Sequence, residues 1–128
     1  MTELSLCMIV KNEEERLARC LSSVQGAVDE IIILDTGSTD GTKDVASRFT
    51  QRVYDYAWDD DFSAARNASF AYATRPFILW LDADDVMERS EREKLMALKA
   101  RLTADVDAVM MKYHAGIGRD GRPLLIYE

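Results

Sequence analysis

The residues best suited to chemistry are three carboxylates within four positions, Asp82, Asp84 and Asp85, interrupted only by Ala83. Asp82 and Asp84 are two apart, so in extended chain they point to the same side. Two like charges side by side repel unless a cation sits between them. Oxygen ligands alone suit a hard ion such as Mg2+ or Mn2+. Directly ahead of the acids runs Phe77-Ile78-Leu79-Trp80-Leu81, entered through Pro76. An unbroken apolar run of this kind reads as a strand covered on both faces, as inside a parallel sheet. The acids then lie at the strand's carboxyl end, the edge where open α/β sheets bind ligands.

The rest of the chain supplies the elements such an edge needs. Leu4 to Val10 is a second buried strand, and Ile31 to Leu34, closing on Asp35, is a third. Between them Asn12 is a candidate N-cap, with Glu13, Glu14 and Glu15 in the turn that follows. Leu17, Cys20, Leu21 and Val24 recur at helical spacing, and Gly26 ends that helix. Thr36 to Gly41 is a tight polar turn before a short helix marked by Val45, Ala46 and Phe49. Arg52 to Tyr56 reads as a more peripheral strand. Ser63 is a candidate cap for an Ala-rich helix reaching about Ala73. Ser90 with Glu93 forms a capping box, and Leu95, Leu98 and Leu102 give the next helix its stripe. Ala108 to Tyr113 and Leu124 to Tyr127 read as two further strands joined through Asp120-Gly121. Strands alternating with helices predict an α/β domain: a mostly parallel, Rossmann-like sheet with helices on both faces.

Composition narrows the function. At 128 residues the chain is a single domain, 48% hydrophobic and 30% charged, as in a soluble globular protein. The net charge of −7 disfavours nucleic acid, which calls for a basic face. No run is long enough for a membrane span, and no basic region precedes an apolar stretch at the N-terminus; both point to the cytoplasm. Cys7 and Cys20 sit in apolar patterns and read as reduced core residues. The single histidine, His114, reads as half-buried and hydrogen-bonded. Trp58 and Trp80 read as core or pocket wall.

One local likeness misleads. Ile33-Leu34-Asp35-Thr36-Gly37-Ser38 resembles the active-site turn of aspartic proteases, with Ile117-Gly118-Arg119-Asp120 like the second signature of the short, dimeric type. Those proteases are nearly all-β, whereas this chain carries several periodic helical segments.

Four segments, in order, carry a different resemblance. They are Cys7-Met8-Ile9-Val10-Lys11-Asn12-Glu13-Glu14, Ile33-Leu34-Asp35-Thr36-Gly37-Ser38-Thr39-Asp40-Gly41-Thr42, Asp60-Asp61-Phe62-Ser63-Ala64-Ala65-Arg66-Asn67 and Leu79-Trp80-Leu81-Asp82-Ala83-Asp84-Asp85. Together they resemble the nucleotide-binding half of a family-two glycosyltransferase of the GT-A fold, especially bacterial members that carry tetratricopeptide repeats; no such repeat is in this chain. The resemblance implies a nucleotide-diphosphate sugar, a UDP-sugar by preference, as substrate, Mn2+ or Mg2+ as cofactor, and inverting transfer. It implies a nucleotide site made of Ile9, Val10, Lys11, Asn12, Glu13, Asp35, Arg66 and Asp82. Asp35 would accept a hydrogen bond from the base, Asp82 would contact ribose or metal-bound water, and Asp84 would ligate the metal with Asp82 beside it. The plainer roles are a turn cap for Asp35, a structural ion pair with Asp61 or Asp85 for Arg66, and helix-terminal duty for Glu13 to Glu15.

Complete members of that family continue into a segment that binds the acceptor and carries a carboxylate base. After Asp85 this chain offers a helix and a hairpin, and Asp105, Asp107, Asp120 and Glu128 match no base motif. The expectation is therefore a donor-binding domain lacking its acceptor part and general base, with apolar surface that favours self-association. The competing expectation is a truncated module that holds nucleotide or a partner without transferring sugar. A nucleotidyltransferase would carry a Gly-rich basic loop where Val10-Lys11-Asn12-Glu13 stands.

Overall fold

A computed structural model describes residues 3–83, 86–100, 108–110 and 116–119. The order of elements is β1 (Leu4–Val10), α1 (Leu17–Val24), β2 (Glu30–Asp35), α2 (Thr42–Ser47), β3 (Val53–Asp55), α3 (Phe62–Ala71), β4 (Phe77–Trp80), α4 (Arg89–Lys99), β5 (Ala108–Met110) and β6 (Gly116–Arg119). They form one six-stranded sheet in the order β3-β2-β1-β4-β6-β5. The first four strands run parallel, with Leu6 opposite Ile31 on one side and Leu79 on the other. β6 pairs antiparallel with both β4 and β5.

The apolar runs are buried on both faces, as their lack of alternation requires. Leu4, Leu6, Met8 and Val10 of β1 join Leu17, Cys20, Leu21 and Val24 of α1 in one core, together with Val45 and Ala46 of α2 and Leu95 of α4. Cys7, Ile32, Ile78 and Trp80 face the other way, onto Phe70 of α3 and Ala73. Burying a Leu or Ile side chain in such a core is worth about 1.5–3 kcal/mol. An Ala-rich α3 lies close to β1 and β2 because its small side chains permit it.

Four local expectations are corrected. Asn12 is not an N-cap: α1 starts at Leu17, and Asn12 sits at φ 53 within the preceding loop. The α3 cap is Asp61, whose side chain accepts from the Ala64 amide; Ser63 already lies inside the helix. α4 begins at Arg89, before Ser90, and Glu93 pairs with Arg89 at 3.2 Å. Near the C-terminus the partner of β5 is β6, so the turn between these two strands is not Asp120-Gly121. β6 holds Gly116 and Gly118, poor strand formers whose pairing with β4 overrides local propensity. Leu124 to Tyr127, His114 and Leu102 lie outside the described residues.

Candidate functional site

The connections leaving β1 and β4 diverge: β2 follows on one side of β1, and β4 lies on the other. Adjacent strands whose outgoing loops part in this way leave a crevice at their carboxyl ends, the binding position of open α/β sheets. Val10, Asp35 and Asp82 stand at or just past the ends of β1, β2 and β4.

Asp35 is 2% exposed. Its Oδ1 accepts from the amides of Gly37 at 2.9 Å and Ser38 at 2.8 Å, a local turn made feasible by Gly37 at φ 112. Its Oδ2 is buried and has no hydrogen-bond partner among the described residues. A buried carboxylate oxygen is ordinarily completed by a protein group, a water or a ligand. The turn-cap role is therefore real, and it uses only one of the two oxygens.

Arg66, from α3, reaches toward the β4 end of the edge. Its guanidinium lies 4.8 Å from the Phe62 ring centre and 5.8 Å from that of Trp80, a cation held over aromatic faces. Burial lowers its pKa, and the nearby Asp82 charge opposes that shift. Among the described residues Arg66 has no salt bridge to Asp61, so the structural pair considered from the sequence is not formed there; Asp85 is outside the described residues. A small hollow is lined by Ile9, Phe62, Arg66, Trp80, Leu81 and Asp82, with buried Cys7 and Ser69. Trp80 Nε1 is likewise buried with no hydrogen-bond partner among the described residues. Sequence reading passed over Phe62 as a site residue. Its spacing of four from Arg66 on one helix face was the available signal.

The loop after β1 is bonded to the turn after β2. The Val10 carbonyl accepts from the Thr36 amide at 3.0 Å and the Thr36 hydroxyl at 3.2 Å. Lys11 is exposed, while the Glu13 amide donates to Thr42 Oγ1 at 2.8 Å. Glu13 Oε2 is buried, 3.6 Å from Arg16. The Asn12 carboxamide oxygen accepts from the Thr39 amide at 2.8 Å. Asp84, the expected metal ligand, lies outside the described residues. Within those residues no three His, Cys, Asp or Glu side chains gather as a metal cage.

A mostly parallel sheet with helices on both faces and acids at its carboxyl edge define an α/β domain of the doubly wound kind, and the nearly all-β fold of an aspartic protease is excluded. Residues 5–126 match the model of glycosyl transferase family 2, and the chain belongs to that family. It is 37% identical over 109 residues to the SPbeta prophage-derived glycosyltransferase SunS of Bacillus subtilis, covering 83% of this chain and 26% of that protein. It is 53% identical over 85 residues to a TPR repeat-containing protein of Synechococcus elongatus, covering 66% of this chain and 21% of that one. The chain thus spans about a fifth to a quarter of these relatives' length. Among solved structures, Mannosyltransferase PcManGT of Pyrobaculum calidifontis, in complex with GDP-Man and Mn2+, superposes with a TM-score of 0.75 at 16% identity, covering 92% of this chain and 44% of that one. Glucosyl-3-phosphoglycerate synthase of Mycobacterium tuberculosis, in complex with Mg2+ and UDP, gives 0.56 at 27% identity, covering 66% and 34%. These likenesses identify the sheet as the GT-A fold. No helix among the described residues is long and apolar enough to cross a membrane.

Proposed function

We propose that this chain is the donor-binding part of a glycosyltransferase that takes a nucleotide-diphosphate sugar, a UDP-sugar by preference, for inverting transfer to an acceptor. The observation that carries the reading is the buried, unpartnered Asp35 Oδ2 at the sheet's carboxyl edge. A uracil ring offers an imide N–H, the donor that would complete it. In this reading the backbone from Ile9 to Lys11 lines the base pocket, with Asn12 and Glu13 at its rim. Arg66 adds a fixed positive charge near the same edge, where one is needed in a chain of charge −7. Asp82 contacts ribose or a metal-bound water, and Asp82 with Asp84 would hold Mn2+ or Mg2+. Such an ion neutralises the charge of the departing diphosphate when bound. The M. tuberculosis synthase, bound to UDP with Mg2+ or Mn2+ in its own structures, supports this choice of ligands.

The test is a calorimetric titration of UDP, GDP and dTDP with and without Mn2+. UDP is expected to bind, and to bind more tightly once Mn2+ is added. Failure of all three nucleotides to bind under either condition would sink the reading.

A further inference from the structure

Two loops that follow different strands are bonded side to side. Asn12 donates its amide to Ser38 Oγ at 2.9 Å and accepts the Thr39 amide on its carboxamide oxygen at 2.8 Å. Two residues on, Glu14 Oε1 accepts the Gly41 amide at 2.8 Å. A Cβ at Gly41 would meet that same oxygen, the far end of the Glu14 side chain, which would then have to shift. Asn12 adopts φ 53 to do this, a conformation asparagine tolerates better than most residues and one that marks a constrained position.

The partners of Asn12 are informative. Ser38 both accepts from Asn12 and donates its own amide to Asp35 Oδ1 at 2.8 Å. Gly37, its neighbour, donates the second amide, at 2.9 Å. The terminal torsion of a carboxylate is soft, so its oxygens exchange unless something holds one of them. Here two amides hold Oδ1, and the turn that carries them is itself gripped by Asn12. From this we infer that Asn12 is a positioning residue. It clamps the 36–41 turn, fixes the Asp35 carboxylate, and so keeps Oδ2 unpaired and aimed before any ligand arrives. This rests on the donor-binding reading for its purpose, though not for its geometry. The gain is preorganisation: the ordering cost is met during folding and not during binding.

Amide exchange and nucleotide titration together test it. Asn12→Gly keeps the positive φ at no steric cost while removing the side-chain acceptor. Asn12→Asp keeps an acceptor oxygen. In ligand-free protein, Asn12→Gly should speed exchange at the Gly37 and Ser38 amides while central amides of β1 and β2 keep their protection, and Asn12→Asp should restore the two. UDP affinity should fall about tenfold in Asn12→Gly, the scale of one lost capping hydrogen bond. That loss should vanish when Asp35→Asn is already present, because the two act as one unit. Unchanged exchange at Gly37 and Ser38 would overturn the inference. So would faster exchange spread evenly across the sheet, or an equal UDP loss in the Asp35→Asn background. If the parent binds no nucleotide, the donor-binding reading fails instead, and the exchange result alone decides the clamp.

Discussion

Asp35 commits one carboxylate oxygen to its turn and keeps the other buried with no hydrogen-bond partner among the described residues, and the ligand role proposed for that second oxygen is measurable. Asp35→Ala should weaken UDP binding by about 1–3 kcal/mol, the scale for a buried donor that loses its acceptor. Because the proposed contact is to the base, calorimetry should find the same loss with and without Mn2+. Equal affinities for parent and variant would leave Asp35 as a turn residue only. Asp84 makes the opposite case. Asp84→Asn should abolish the increment that Mn2+ adds to UDP binding, while the metal-free affinity and the melting temperature stay where they were. A surviving increment would remove Asp84 from the metal site.

At the scale of elements, the sheet's amino edge is tied by one carboxylate. Glu30 of β2 accepts from Ser5 Oγ of β1 at 2.7 Å, Arg52 Nη1 at 2.7 Å, and the Thr74 amide and hydroxyl at 2.9 and 2.6 Å. It therefore joins β1 and β2 to the approaches of β3 and β4. Burial pushes its pKa up, but the hydrogen bonds from Thr74 and Ser5 and the Arg52 charge outweigh burial, and the net shift is downward. A depressed folded-state pKa means stability that is present above the ordinary carboxylate range and lost as pH falls through the lowered value. Glu30→Ala should cost about 2–3 kcal/mol at neutral pH, and thermal melts should show the deficit shrinking as the parent is acidified. A deficit independent of pH would contradict the assignment. None of this clamp was legible in the sequence. β1, β2 and β4 were, because an unbroken apolar run requires cover on both faces. α1 was, because Leu17, Cys20, Leu21 and Val24 share one helical stripe. Asn12 and Ser63 were misread as caps because capping chemistry suits loops equally well. Contacts such as Asn12 to Thr39 or Ser5 to Glu30 join residues 27 and 25 apart, with no periodicity to announce them.

For the molecule as a whole, the proposed reading separates donor binding from the rest of the reaction. The chain spans about a quarter of the SunS relative it matches, and in the proposed reading the general base comes from outside this donor-binding part. A missing general base costs on the order of 10²–10⁴ in rate. The 128 residues are therefore expected to bind a UDP-sugar with Mn2+ and to transfer or hydrolyse it negligibly in a single-turnover assay. Robust turnover, lost on substituting an acid between Asp105 and Glu128, would reverse that view. The two cysteines give an independent handle. Cys7 lies in the core that faces α3 and Cys20 in the core on the opposite side of the sheet, 2% and 0% exposed. Cys20 Sγ is 3.6 Å from the Asp82 carbonyl, and Cys7 Sγ is 3.6 Å from that of Ser69. The native chain thus carries one latent probe per layer. A thiol reagent reaches either sulfur only when its own layer opens, so the two labelling rates report separately on how each side of the sheet breathes, and the Cys20 rate reports on opening directly beneath Asp82.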